Sequence, residues 1–186
     1  MDVQHLNVKI FTDNPETVAL EKFVGVFNGW IQNRAADELL IDVADYRHVP
    51  AGPGVVLVGH EANYSLDNVG NRLGLLYSRK ARVDGPPRER LRQAVRAALV
   101  ACDRLEHEQG LKFEGGETQL ILNDRLLAPN SPETFTALES ELHAFFAVLY
   151  GGAEYALARN SDPRERFTVS VKANRRFDVR ALLKNL

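Results

Sequence analysis

Two segments restrict the fold of this chain more than any others: Asn14-Pro15-Glu16-Thr17 and Ser131-Pro132-Glu133-Thr134. Each follows a strand-like run and each reads as a helix opening. Asn or Ser can cap free N–H groups, Pro suits the first helical position, and Glu favours the positive end of the helix dipole. Leu20, Phe23, Val24, Phe27, Trp30 and Ile31 then recur at helical spacing after the first opening. Phe135, Leu138, Leu142, Phe145, Phe146 and Leu149 do so after the second. Each set makes one apolar face. Between them Pro86-Pro87 opens another helix, with a stripe of Leu91, Val95, Ala98, Cys102 and Leu105, that ends at Gly110.

Short strand patterns fill the intervals. Residues 6–11, 39–46, 55–58, 73–78 and 118–122 are predicted strands, and 155–158 with 167–171 a closing hairpin. A short helix is expected over residues 179–184. Such an alternation specifies an α+β chain: a two-layer mixed α/β domain over residues 1–186, its sheet mostly antiparallel and its helices on one face. The paired helix openings suggest an internal duplication of a strand-helix-strand-strand unit, with pseudo-repeat halves 1–80 and 111–175.

Composition removes several classes. At 186 residues the chain is long enough to bury its own core. Cys102 is the single cysteine, which excludes an intrachain disulfide or a cysteine zinc cluster and fits a reducing compartment. The first residues lack the basic and apolar regions of a secretory signal. No apolar run approaches the about 20 residues of a membrane span. A cytoplasmic protein with no membrane partner is expected.

The net charge of −2 is unremarkable, but it is distributed in blocks. Residues 1–70 carry −6, 71–100 carry +6, 101–158 carry −7 and 159–186 carry +5. Folding can pair unlike blocks within the chain, or leave an acidic and a basic face suited to self-association. The densest basic stretch, Arg79-Lys80-Ala81-Arg82 with Arg88, Arg90, Arg92 and Arg96, has the charge for phosphate. No nucleic-acid-binding signature accompanies it, so nucleic acid is not the expected partner.

One run carries a family likeness. Val55-Val56-Leu57-Val58-Gly59-His60-Glu61 resembles the nucleophile elbow of α/β-hydrolases, where a buried strand enters Gly-His-Ser-x-Gly. Glu61 stands where that family has serine, and Asn63 replaces its glycine, so hydrolase chemistry is not carried over. The pair itself remains a candidate. His60 and Glu61 leave an apolar strand where ligands often meet a sheet, with Asp45, Tyr46 and Tyr64 nearby in sequence. Arg125, beside the opening of the third helix, is a candidate anion ligand. No metal site and no cofactor is indicated, and Glu61 and Asp67 are otherwise read as surface loop carboxylates.

No catalytic motif is complete. The leading expectation is a non-enzymatic binding or assembly module that self-associates as a homo-oligomer. The alternative is a small enzyme or small-molecule-binding protein with its pocket around His60-Glu61.

Overall fold

The computed structural model describes residues 3–186. In chain order its elements are β1 (Leu6–Thr12), α1 (Lys22–Gln32), β2 (Leu40–Tyr46), β3 (Gly54–Gly59), β4 (Ala62–Asp67) and β5 (Gly74–Arg79). They continue with α2 (Pro87–Gln109), β6 (Phe113–Leu122), α3 (Pro132–Leu149), β7 (Tyr155–Arg159), β8 (Phe167–Ala173) and α4 (Val179–Lys184). The strands form one antiparallel sheet in the order β2-β3-β4-β5-β1-β6-β8-β7. The helices pack on it, as the alternation of patterns implies for an α+β chain.

Register decides which side chains face the helices. β1 pairs with β5 through Val8↔Tyr77 and Ile10↔Leu75, and with β6 through Leu6↔Leu122 and Val8↔Leu120. β8 continues the row through Leu120↔Val169. These residues are all buried in one apolar cluster with the faces of α2 and α3. α2 lies over β1 and β5, and α1 lies outboard over β2 and β3.

The connectivity on the two sides of the β1–β6 boundary corresponds. β6-α3-β7-β8-α4 gives the half-sheet β6-β8-β7, and β1-α1-β4-β5-α2 gives β1-β5-β4 once the β2–β3 hairpin is set aside. The extra hairpin lies beyond β4, and α1 goes with it. This leaves the end of the sheet at Glu61, Tyr64 and Arg79 facing a gap between helices.

Three local expectations change. Asn14-Pro15-Glu16-Thr17 forms only a 3-10 turn, Pro15–Thr17, closed by the Thr17 hydroxyl donating to the Asn14 carbonyl at 2.9 Å. The Asn14 side chain caps nothing, Val18 is extended, and α1 starts at Lys22. At Ser131 the expectation holds: its hydroxyl accepts from the Thr134 N–H at 3.3 Å and α3 follows.

The second change is that Ala62–Asp67 is a strand rather than a loop. Its polar residues Asn63 and Ser65 occupy the face away from the helices, while Tyr64 and Leu66 enter the core. Asp67 is therefore no surface carboxylate. It is 2% exposed and forms an ion pair with Lys9, itself 3% exposed on β1.

Third, β6 begins at Phe113 and runs through Gly115-Gly116. A Cβ at Gly115 would lie 2.6 Å from the Phe177 carbonyl oxygen, so the glycine serves a close backbone approach.

Phe27 tests the assignment of the α1 face. It is fully buried between Phe23 and Trp30, with ring centroids at 6.3 and 5.4 Å. Phe27→Ala should cost about 3–5 kcal/mol in urea unfolding. A loss below about 1 kcal/mol would mean that the face is wrongly assigned.

Candidate functional site

This end of the sheet forms the floor of a cleft of about 460 Å³ between α1 and α2. α2 carries a second stripe beside its buried one: Gln93, Arg96, Ala97, Val100, Ala101 and Arg104. These positions follow the i, i+3, i+4 spacing of one helix face. Alanine at the middle of the stripe leaves the room that larger side chains would fill. Trp30 and the segment from Ala35 to Glu38 form the opposite wall, and Glu61, Tyr64 and Arg79 the floor.

Glu38 organises the floor. One carboxylate oxygen accepts from the N–H groups of Glu61 and Ala62, at 3.1 and 2.7 Å. The other accepts from the Tyr64 hydroxyl at 3.1 Å. Gly59 makes this possible: a Cβ there would lie 2.8 Å from Glu38 Oε2 and 2.5 Å from the Ala62 carbonyl oxygen. Tyr64 stacks edge-on against its cross-strand neighbour Tyr77, centroids 5.2 Å apart. Gln93 Nε2 donates to the Tyr77 hydroxyl at 2.9 Å, while Gln93 Oε1 is buried and has no hydrogen bond among the described residues.

The remaining charges are mostly paired. Arg79 meets Glu61 at 2.8 Å and donates to the Ala81 carbonyl at 3.0 Å. Arg104 donates to the Ala35 carbonyl at 2.7 Å, lies 3.5 Å from Glu108, and stands 5.5 Å over the Trp30 ring. Trp30 Nε1 donates to Glu108 at 2.9 Å, closing this end of the cleft. Burial, reinforced by the negative charge of Glu38, pushes the Tyr64 phenol well above its ordinary value. Burial also raises Tyr77. Both phenols are therefore neutral hydrogen-bonding groups at neutral pH, not bases.

The residues singled out in the sequence separate into three places. Glu61 and Tyr64 enter the cleft. His60 sits beside Glu61 in the two-residue connection of the β3–β4 hairpin, but its side chain is exposed and does not line the cleft. Asp45 and Tyr46 lie at the far end of that sheet edge, opposite Val55 and Gly54. There Asp45 accepts from Arg47 at 2.7–3.0 Å, and these bonds hold its carboxyl down at about 2. Arg125 is exposed on the β6–α3 connection, in the other half of the sheet. Among the described residues no group of three or more His, Cys, Asp or Glu is placed to hold a metal ion. No helix among them is long and apolar enough to cross a membrane.

The sequence reading missed Glu38, Gln93 and Arg104 as site residues. For Gln93 and Arg104 the signal was the second stripe on α2, which interleaves with its apolar stripe. Compared with protein-family models the chain matches none, and it matches none of the curated proteins either.

Two outcomes test this geometry. Glu38→Ala strips acceptors from the N–H groups of Glu61 and Ala62 and should destabilise the protein by about 1–3 kcal/mol in urea unfolding. No measurable change would show that water replaces the carboxylate. The second concerns pH. Tyr64 ionises near 10 when unfolded and higher when folded, so its contribution is full below about pH 10 and fades as pH rises through the folded value. Lys9, whose pKa burial lowers, opposes this trend, so the comparison must be between variants. Tyr64→Phe should lose less stability than the unchanged protein between about pH 9 and pH 11. Equal losses would mean that the phenol is not desolvated.

Proposed function

We propose that this protein binds a small molecule in the cleft between α1 and α2. The observation that supports the reading is the convergence of Arg79, Arg96 and Arg104 with Asp37, Glu38 and Glu61 around one cavity. Ligand sites combine an apolar body with a few placed polar groups. Here Trp30, Ala97, Val100 and Ala101 supply the first. Catalysis is not part of the proposal, because the phenols in the floor stay protonated and His60 lies outside the cavity.

Native mass spectrometry of the protein purified from its host tests this directly. A small-molecule adduct should appear, and Ala97→Phe, which fills the cleft, should abolish it with the fold intact. An absent adduct, or one indifferent to that variant, would overturn the proposal. Glu61→Gln should change stability by less than about 1 kcal/mol, since the Glu61 carboxylate is half exposed. It should nevertheless weaken binding of that adduct at least about tenfold, or about 1.4 kcal/mol.

Self-association is the second reading. Its support is Leu39, just before β2, and Ile41 within it, 68% and 53% exposed at one of the two edges of the sheet. The charge blocks lend it little, because they meet inside the chain: Arg72 with Glu117, Arg79 with Glu61, Arg176 with Asp13 and Glu114, Arg180 with Asp103. A dimer built on β2 would be held by apolar contact and main-chain bonds. It should persist in sedimentation as salt rises, and a monomer at all protein concentrations would remove this reading.

A further inference from the structure

We infer that the β2 edge of the sheet docks an extended segment of a partner protein, in which a lysine or arginine accompanies apolar residues. The site is independent of the cleft. β2 stands first in the strand order and has no neighbour beyond it, so its outward N–H and C=O groups are a template for one further strand. Such edges are commonly guarded by lysine, proline or a bulge. β2 has neither lysine nor proline. Its register against β3 shifts between Leu40 and Asp42, which leaves Asp42–Tyr46 as the regular part of the template. α1 packs on this strand from the helix side, so the template is preformed.

Apolar surface collects at the same edge. Of the nine large apolar side chains exposed among the described residues, Leu39, Ile41, Tyr46 and Val49 lie on β2 or in the residues flanking it. Exposed apolar groups gathered in one place mark interaction surfaces, whereas scattered ones do not. The exposed positions of the other edge strand, β7, are Ala156 and Ala158, which offer a guest little to pack against.

Charge chooses between guests. Residues 37–46 hold four acids and no base. Glu38 is occupied by the N–H groups of the β3–β4 turn, and Asp45 is held by Arg47. Asp42 is exposed, and among the described residues its carboxylate meets only the Val43 N–H. Pairing with β3 sets Asp42, Ala44 and Tyr46 opposite Val58, Val56 and Gly54 on the helix-free face, and Val43 opposite Leu57 on the helix side. A guest strand alongside therefore meets one carboxylate and, at Val43, Ala44 and Tyr46, apolar groups. Cross-strand pairing favours a cation at the first position and aliphatic side chains at the others. A second copy, the occupant in the second reading above, fits this edge less well. β2 against β2 brings the same acids together along one seam, where like charges opposite one another are destabilising.

Fluorescence anisotropy tests this with a labelled peptide of sequence Lys-Val-Val-Thr-Val-Val-Lys, which reads the same in both directions, and with its counterpart carrying glutamate in place of lysine. The lysine peptide should bind, and the glutamate peptide at least about tenfold more weakly, or about 1.4 kcal/mol. Raising the salt concentration should narrow the difference, and Asp42→Asn should remove it. In hydrogen exchange the bound lysine peptide should slow amides within Asp42–Tyr46. Equal binding of the two peptides, binding of neither, or protection confined to other elements overturns the inference. Sedimentation separates it from self-association. A dimer that protects the same amides with no peptide present returns the edge to a second copy, and a monomer that binds neither peptide leaves the edge with neither role.

Discussion

Hydrogen bonding of β1 on both of its edges is the constraint on which the rest of this molecule depends. All seven of its residues are buried, in a strand paired with β5 on one side and β6 on the other. A slip of one residue would send Leu6, Val8 and Ile10 out of the helix layer and bring Asn7 and Lys9 into it. Lys9 reaches Asp67 only if β1, β5 and β4 keep their register, so the buried ion pair acts as a check on alignment. Such a pair adds little net stability, but leaving either partner alone is costly. The position of α2 follows from this alignment, since it lies over β1 and β5. Once its apolar stripe is seated, the second stripe has only one direction to face.

The electrostatics of the chain take on a different meaning once folded. The cleft lies where blocks of opposite sign meet. Asp37, Glu38 and Glu61 come from the acidic first block, and Arg79 and Arg96 from the basic block that follows it. Elsewhere the same meeting of blocks ends in closed pairs such as Arg72–Glu117, where the guanidinium also covers the Phe11 ring at 3.7 Å. Within the cleft the pairing is incomplete, because the walls are held apart by the elements that carry them.

Much of the architecture was readable in advance, for a physical reason. Amphipathic periods in α1, α2 and α3, and alternation in β8, record burial against a single layer. The β3–β4 hairpin was harder. Its second strand alternates, but Asn63 and Ser65 on the helix-free face, and Asp67 at its end, look like loop composition when no partner strand is in view. β1 misleads in the opposite way: Asn7 and Lys9 suggest a solvated face, yet both are 3% exposed. The site was legible only in part. Glu61 and Tyr64 were noticed because they follow an apolar run. Glu38 gave no signal, because its role depends on N–H groups brought to it by a turn 23 residues away. Nearness in sequence drew in Asp45 and Tyr46, which an antiparallel hairpin places a strand's length away, and His60, which shares the turn with Glu61 but is exposed and does not line the cleft.

The β2–β3 hairpin behaves like an outrigger. It has no counterpart in the other half of the sheet, and α1 is lashed to it rather than to the central strands. The two cleft walls are joined to each other only at one end, through Arg104 to the Ala35 carbonyl and Trp30 to Glu108 among the described bonds. The appendage nevertheless shares the one buried cluster, through Phe27, Trp30, Val55 and Leu57, so a change in it is felt in the core. The shape of the cleft and the stability of the fold are thus coupled through α1, whose buried face holds both the core and one wall.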